Sequence, residues 1–597
     1  NRAQMSWYFI DPSFYEGGTP VSDEAISNLN AYQVKENQIF PNRDPEQGIY
    51  NALSVFNISY FPDERGPYNF DDDANNIDSD GRFTNPEERW AGIQRNVRTS
   101  DFEEANIEFI EFWMMDPYAQ DEEEGNDRND PDPALYINLG NISEDVLKDY
   151  RRSFENGLDR NGTTDGTDST AWGLVSNRQV VSDGFDDAGR SAQDVGYDGL
   201  TNTREREFFI DKPVYDPAFL NNLSPEARAE LENDPAQDDY HYYKGGGYES
   251  NTFFKNNIIN RYRYFTNPHG NSPANTGTET QMQTSLPNNE DINDDNTLNQ
   301  VDAYYEYKVD LSPQNLESTK KYIVDENDVT VSMPDGSSKN VTWYQFKIPV
   351  QEPDFVEGNI SDFRSIRFMR MYMTGFSKDV TLRFAELNLI RGEWRKYQYV
   401  LEEGSEVVDD DIDLSNAQFD VGTVNVEENG QRTPVNYVLP PDVDRVIDPS
   451  NSQMRQLNEQ AITMKVKDLP DGFAKAIYKN IRFDMRQYKR LKMYIHAEEM
   501  EGTNLDDDEL TVFVRLGTDI RENYYEYEIP VVLTPPGNYS NNEADREVVW
   551  PIENELNIPL SVFTDTKKER NDRIGEAESG VSLLTEYIRQ HGKNTVK

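Results

Sequence analysis

Hydrophobic and polar residues alternate with a period of two in several short stretches of the chain. Residues 343–348 read Trp-Tyr-Gln-Phe-Lys-Ile, and residues 304–309 and 524–529 share a nearly identical alternation of tyrosine and charge. Alternation dominated by aromatic and β-branched residues is typical of strands that bury one face. The chain is therefore predicted to be mainly β, with antiparallel sheets.

The strand signals recur in three similar arrangements, each a strand, a variable loop and a second strand. They occupy residues 101–140, 362–384 and 485–517. Repetition on this scale indicates a supersecondary unit that is used more than once. We therefore predict repeated jelly-roll-like antiparallel β-sandwich domains with long acidic loops and few short helices.

These signals divide the chain into five predicted segments. They are a first β-sandwich-like unit at 1–145, a loop-rich insertion with short helices at 146–300, a second sandwich unit at 301–400, an acidic linker at 401–450 and a third sandwich unit at 451–597. The insertion and the linker are rich in Asn, Asp and Gly, and polar loops of such length are often functional insertions.

Two short helices are predicted within the insertion. The first begins after Ser224, where a capping hydroxyl precedes Pro225 and Glu226, and it ends near Asp234. The second candidate covers residues 145–154.

The charge and the cysteine content exclude several classes of protein. Lys and Arg number 58 against 111 Asp and Glu, which gives a formal net charge of −53. Such a surface repels phosphates, so nucleic acid is not expected as a partner and anionic membranes are disfavoured. The absence of cysteine excludes disulfides and thiol nucleophiles. The chain begins at Asn1 without an apolar leader, so we expect a piece of a longer protein.

Catalytic motifs are not evident in the sequence. Four histidines, at positions 241, 269, 496 and 591, share no spacing typical of a metal site or a catalytic pair. No nucleophile elbow, phosphate loop or dinucleotide fingerprint occurs. We therefore predict that the chain is not an enzyme; a calcium-dependent glycosidase is the remaining enzymatic alternative.

Two loops fit the calcium-loop template, in which oxygen donors occupy positions 1, 3, 5 and 12. The donors would be Asn76, Asp78, Asp80 and Glu87 in the first loop, and Asp291, Asn293, Asp295 and Asp302 in the second. Calcium is accordingly the one cofactor considered. Asn76 replaces the usual first aspartate, and Asp302 is shorter than the usual glutamate. The alternative is that Asn- and Asp-rich loops match by composition and use their side chains to cap turns.

Two weaker patterns in the sequence also indicate candidate binding residues. Asp194, Asp198 and Gly199 form a third acidic turn. Tyr242, Tyr243 and Tyr248 could form a glycan-binding platform, although most aromatic residues of the chain occupy alternating positions that favour a core role.

Several uncommon strings, taken in order, resemble the SprA/Sov family of giant outer-membrane translocons from Bacteroidota. Phe-Pro-Asp-Glu-Arg-Gly-Pro-Tyr-Asn at 61–69 and Asn-Pro-Glu-Glu-Arg-Trp at 85–90 are two of them. The others lie at 1–3, 6–8, 138–145, 153–158, 193–199, 384–394 and 486–492. Together they span nearly the whole chain.

This resemblance implies a role in protein export by the type IX secretion system. The chain would be a soluble cap or insertion segment of the translocon, supporting secretion of folded cargo and of gliding adhesins. The implied partners are an outer-membrane shuttle protein, a plug protein, the secreted cargo proteins and the remainder of the parent barrel. The implied location is the outer membrane, with the segment on the extracellular side or, alternatively, on the periplasmic side. An extracellular glycan-binding or adhesive β-sandwich protein is the alternative function.

Overall fold

Antiparallel pairing dominates the computed structural model of the chain. It describes residues 1–577 apart from 17–20, 42, 44–51, 127, 156–158, 160, 180–183, 187, 212–213, 246, 274–283, 319, 393, 398–399, 403–404, 408–416, 448–455, 471, 482–486, 501–504, 508 and 519–523. The chain forms two compact units. Unit 1 comprises Asn1–Lys35 and Ala52–Gly392, and unit 2 comprises Glu36–Asn51 and Glu393–Lys597.

The strands are numbered in chain order. In unit 1 they are β1 Ala3–Tyr8, β2 Phe56–Arg65, β3 Trp90–Asn96, β4 Ile107–Met115, β5 Ala134–Asn141, β6 Thr167–Ser169, β7 Leu174–Ser176, β8 Ala303–Asp310, β9 Ile323–Ser332, β10 Ser338–Pro349, β11 Phe355–Glu357, β12 Phe368–Thr374 and β13 Val380–Arg391. In unit 2 they are β14 Arg395–Lys396, β15 Val400–Glu402, β16 Ser405–Val407, β17 Gln418–Asn425, β18 Gln460–Lys467, β19 Phe473–Ala474, β20 Ile477–Tyr478, β21 Arg490–Met493, β22 Thr511–Gly517, β23 Tyr524–Pro530 and β24 Leu556–Pro559.

The helices are short with one exception. They are α1 Asp23–Ile26, α2 Glu36–Ile39, α3 Ala119–Glu124, α4 Arg190–Gln193, α5 Asn202–Glu205, α6 Pro217–Asn222, α7 Pro225–Asn233, α8 Thr252–Lys255, α9 Ile258–Tyr262, α10 Glu543–Val549 and α11 Ser561–Ala577. Among the described residues, no helix combines the length and the apolar character that crossing a membrane requires. The prediction of a mainly β chain with antiparallel sheets and few short helices is confirmed.

Unit 1 contains two large antiparallel sheets. The six-stranded sheet has the order β1-β2-β13-β4-β10-β9, and the five-stranded sheet has the order β11-β8-β5-β12-β3. Their buried residues belong to one hydrophobic cluster, with Phe112, Phe346 and Phe384 from the first sheet and Ile137 and Tyr307 from the second. The two sheets therefore form a sandwich around a shared core. Its jelly-roll topology stays a prediction.

Strands from distant parts of the sequence alternate in both sheets. In the six-stranded sheet, β4 lies between β13 and β10, and in the five-stranded sheet β5 lies between β8 and β12. Strands from the two ranges 1–145 and 301–400, predicted as separate sandwich units, thus build one sandwich together, whereas residues 36–51 and 393–400 belong to unit 2. The prediction placed a boundary between the two ranges because alternation along a strand reveals its buried face but not its partner.

The helix predictions within the insertion have different outcomes. The first is confirmed, because α7 begins directly after Ser224, whose Oγ accepts a hydrogen bond from the Ala227 N–H, and it ends before Asp234. The second is wrong, because residues 146–151 form bends and Phe154 forms an isolated β-bridge with Asn289. There the Asp145 carboxylate accepts hydrogen bonds from the backbone of Asp149 and Tyr150, which competes with helical pairing.

Buried glutamates order the irregular insertion. The Glu290 carboxylate accepts hydrogen bonds from the N–H groups of Val146 (2.7 Å), Leu147 (3.3 Å) and Ser153 (2.8 Å). Glu144 similarly accepts from the backbone of Ile292 and Asn299, and Glu155 from that of Asn288. These side chains satisfy backbone donors that a helix or a sheet would otherwise pair.

Unit 2 is built from small sheets. β17 pairs with β18, β22 with β23 and β21 with β24, while β15 lies between β16 and β19. The predicted linker 401–450 therefore contributes strands, since β17 pairs along its whole length with β18 of the following segment. Residues 403–404, 408–416 and 448–450 of that predicted linker lie outside the described part.

The core of unit 2 centres on a buried tryptophan. Trp550 belongs to a cluster with Tyr437 and Val438, and its Nε1–H donates a hydrogen bond to the Val438 carbonyl (3.0 Å). The His496 ring lies edge-on to the indole, with ring centroids 5.8 Å apart. One side chain thus contributes both apolar area and a backbone hydrogen bond.

Trp550→Phe is expected to destabilise unit 2 by about 1–3 kcal/mol, because the variant keeps a ring but leaves the buried Val438 carbonyl without its donor. Hydrogen–deuterium exchange of peptides covering residues 435–439 measures the loss. Trp90→Phe in unit 1 is the matched control, because Trp90 is 37% exposed and its replacement is expected to cost less than about 0.5 kcal/mol. Equal changes in the two variants would contradict the assigned role of the indole.

Candidate functional site

The first predicted calcium loop uses its side chains within turns. Asp78 Oδ1 accepts hydrogen bonds from the backbone of Asp80 and Arg82, both at 2.9 Å. The Asn76 amide donates to the Asp71 carboxylate (3.1 Å to Oδ2), and Glu87 lies in a single 3-10 turn. Capping of turns by Asp and Asn is the alternative that the sequence left open.

The second predicted loop is held in part by a buried ion pair. Asp291 Oδ2 lies 3.1 Å from the Arg152 guanidinium and also accepts from the Asn296 N–H, and its side chain is fully buried. Arg152 thereby supplies positive charge at this carboxylate. Of the other predicted ligands, Asn293 Oδ1 accepts from the Asp295 N–H, and Asp302 Oδ1 accepts from the Ser143 N–H. Calcium binding at either loop stays a prediction.

A different group of acidic residues surrounds a histidine inside unit 1. Among the described residues, donor atoms of Glu205, Asp238 and His269 lie within 4.8 Å of one another, as do donor atoms of Asp234, Asp238 and Asp239. Together these five residues are called the histidine–carboxylate centre. Asp238 is common to both groups and is fully buried.

Three separate chain segments bring the centre together. Glu205 is the last residue of α5, and Asp234 follows α7 directly. A short parallel bridge between Asp239 and His269 joins the second and third segments, and the His269 N–H donates to the Asp238 carbonyl (2.9 Å). The backbone itself therefore fixes the histidine beside the aspartates.

His269 Nδ1 is the focus of the centre. It lies 3.3 Å from Glu205 Oε1, 3.5 Å from Asp238 Oδ1 and 3.5 Å from Asp239 Oδ1. The opposite oxygens of two of these carboxylates are occupied elsewhere: Glu205 Oε2 accepts from the Ala236 N–H, and Asp239 Oδ2 accepts from the Asn202 amide. Each of those two carboxylates is thus oriented with one oxygen toward the histidine.

Burial and mutual repulsion shape the electrostatics of the centre. Burial raises the pKa of Glu205 to about 7, and repulsion from Asp238 adds to this shift. Burial, followed by repulsion from Glu205 and Asp238, raises the pKa of the neighbouring Asp198 well above its usual value. Burial alone would lower the pKa of His269, but its contacts with Asp238 and Glu205 outweigh that effect and raise it to about 11. The site favours positive charge at its middle.

The sequence patterns did not indicate the histidine–carboxylate centre as a group. The third acidic turn contains Asp198, which the structure places beside Glu205 and Asp238. No second ligand stands at a motif spacing from His269, because its neighbours in space are 30 and more residues away in the chain. No local pattern could have revealed the group.

The aromatic candidates pack within the protein. Tyr243 stacks on Tyr262, with ring centroids 4.7 Å apart, and donates a hydrogen bond to Asp11 (2.8 Å). Tyr248 is buried against Phe254. These contacts fit a core role for two of the three tyrosines.

A known protein family matches most of the chain. The SprA_N family, described as motility related/secretion protein, matches residues 217–597. The chain belongs to this family. The SprA_N match begins at the first residue of α6, so it includes Asp238 and His269, whereas Glu205 precedes it. It agrees with the SprA/Sov resemblance of the sequence, and the family's description concerns motility and secretion rather than an enzymatic reaction. No curated protein shows a significant match to the chain.

Proposed function

We propose that the chain is a cap or insertion segment of an outer-membrane translocon of the type IX secretion system, which supports the export of folded cargo and of gliding adhesins. The observation that carries this proposal is the SprA_N match, which includes much of the sandwich of unit 1 and nearly all of unit 2. The rest of the translocon, a shuttle protein, a plug protein and the cargo are its proposed partners.

The high negative charge of the chain supports this function, because exported proteins would adhere little to such a surface. A net charge of −53 keeps a large surface soluble and reduces non-specific association with other acidic proteins. An extracellular position for the segment fits this property.

An immunoblot of fractionated cells tests the proposal. With antibody against this chain, we expect an outer-membrane band several times larger than 68.9 kDa that is cleaved when intact cells are treated with protease. Depletion of the protein should remove secreted proteins from the culture supernatant and abolish colony spreading, because both depend on the same export route. Re-expression of the full-length gene is the control.

Two other outcomes have distinct meanings. A large outer-membrane band that resists protease would contradict the extracellular position and favour the periplasmic side. A soluble band near 68.9 kDa, with unchanged secretion on depletion, would contradict the translocon function and favour a glycan-binding or adhesive protein.

A further inference from the structure

We propose that the histidine–carboxylate centre binds one divalent transition-metal ion, for which Zn²⁺ is the test ion. The ligands would be His269 Nδ1, Glu205 Oε1 and Asp238 Oδ1, with the fourth position open on the side of Asp239. This site is separate from both predicted calcium loops and does not depend on the proposed function.

Buried donor atoms without hydrogen-bond partners point to a missing ligand. Glu205 Oε1, His269 Nδ1 and Asp238 Oδ1 are buried and lack a well-directed hydrogen bond to any described residue, whereas the second Asp238 oxygen lies beside the Tyr68 hydroxyl. The Glu205 and Asp238 side chains are both fully buried. Leaving one buried polar atom unpaired is already costly, and here three residues direct such atoms toward one point. A bound cation would satisfy all of them at once.

The spacing of these atoms fits a small tetrahedral ion. With bonds of about 2.0–2.1 Å, adjacent ligands of tetrahedral Zn²⁺ lie about 3.3–3.4 Å apart. The separations from His269 Nδ1 are 3.3 Å to Glu205 Oε1 and 3.5 Å to Asp238 Oδ1, and the donor atoms of all three residues lie within 4.8 Å of one another. Calcium prefers six to eight oxygen ligands at longer distances, so an imidazole with two carboxylates favours a transition ion.

Neighbouring groups orient the carboxylates of the centre, and the exposed side of Asp239 offers a path by which an ion can enter. The Ala236 N–H and the Asn202 amide hold the outer oxygens of Glu205 and Asp239, as supporting hydrogen bonds do around metal ligands. The Asp239 side chain is 30% exposed and that of His269 is 13% exposed, so an ion can reach the centre from the side of Asp239. The carboxyl groups outnumber the single imidazole, and a divalent cation would balance the excess negative charge.

Zinc binding by the purified full chain tests the proposal. After treatment with a chelator, the protein is given Zn²⁺ in competition with a fluorescent zinc indicator, and retained metal is counted by plasma mass spectrometry. We expect one tightly held Zn²⁺ per chain and an increase in unfolding temperature. His269→Gln and Asp238→Asn should each weaken binding by at least about ten-fold and remove the temperature increase. Both replacements are close in size to the original side chain, and circular dichroism checks that the variants fold.

His241→Gln is the matched control, because His241 lies two residues from Asp239 but is not among the grouped donors. It should retain full binding. If the wild type holds no more zinc than the two ligand variants, the proposal is wrong. The same conclusion follows if Asp238→Asn raises the stability of metal-free protein and zinc has no effect, since the carboxyl groups would then share protons. If the ligand variants do not fold, X-ray absorption of the zinc-loaded wild type decides: one imidazole among oxygen ligands supports the site, and oxygen ligands alone overturn it.

Discussion

Gly375→Ala is expected to cost unit 1 more than about 4 kcal/mol of unfolding free energy, enough to prevent stable folding. Gly375 follows β12 with φ +83°, in the left-handed region that residues with a Cβ adopt only at a cost. A Cβ at this position would lie 1.9 Å from the Asp132 carbonyl oxygen and 2.5 Å from its carbon. These are backbone atoms directly before β5, so relief would require the central strands to separate.

Gly336→Ala provides the matched control for this prediction. Gly336 has φ +86° in the connection between β9 and β10, and a Cβ there meets nothing within 4 Å. Gly336→Ala therefore introduces only the backbone strain of a positive φ, which costs about 1–2 kcal/mol. Hydrogen–deuterium exchange of peptides from β4 and β5 compares the two variants. Similar losses in both would show that the close approach of Asp132 is not the cause.

Arg383→Met is expected to destabilise unit 1 by about 3–5 kcal/mol. Arg383 is only 1% exposed, and its guanidinium donates to the Leu29 carbonyl (2.5 Å), the Tyr32 carbonyl (2.8 Å) and Asn57 Oδ1 (3.1 Å). Methionine fills much of the volume but leaves these three buried acceptors unpaired. Denaturant unfolding followed by exchange of β2 and β13 peptides measures the effect.

The stabilising effect of Arg383 is expected to depend on the geometry of its guanidinium and not only on its positive charge. Arg383→Lys keeps the positive charge, but lysine lacks the planar fork with which arginine reaches three diverging acceptors. This variant should therefore recover less than half of the stability that Arg383→Met loses. Arg364→Met is the control, because Arg364 is 68% exposed and pairs with Glu103 at the surface, where the expected change is below about 1 kcal/mol. Full recovery by lysine would mean that charge alone matters at this position.

The sequence predicted individual strands better than their arrangement. The alternating runs at 304–309, 343–348 and 524–529 lie within β8, β10 and β23. Side-chain alternation is a local property, so it can be read within six residues. The partner of a strand is decided by packing across the sandwich, and the partners of β4 come from residues 338–391. Local alternation therefore could not show that strands from residues 1–145 and 301–400 belong to one sandwich.

The candidate site was less predictable than the fold. Metal templates assume ligands at fixed spacing in one segment, whereas Glu205, Asp238 and His269 come from three segments of an irregular insertion. In a chain with 111 acidic residues, carboxylates alone carry little information. What distinguishes these residues is that each has a buried donor atom without a well-directed hydrogen bond, and burial appears only once the fold is known.

The interleaving of early and late strands has a consequence for biogenesis. When a ribosome has produced residues 1–300, β4 and β5 exist, but β13, β10, β8 and β12, which flank them in the sheets, have not yet been made. Closing such long loops makes folding slow, and unpaired strand edges invite aggregation meanwhile. The sheet partners of β4 and β5 are therefore complete only when residue 391 has emerged from the ribosome.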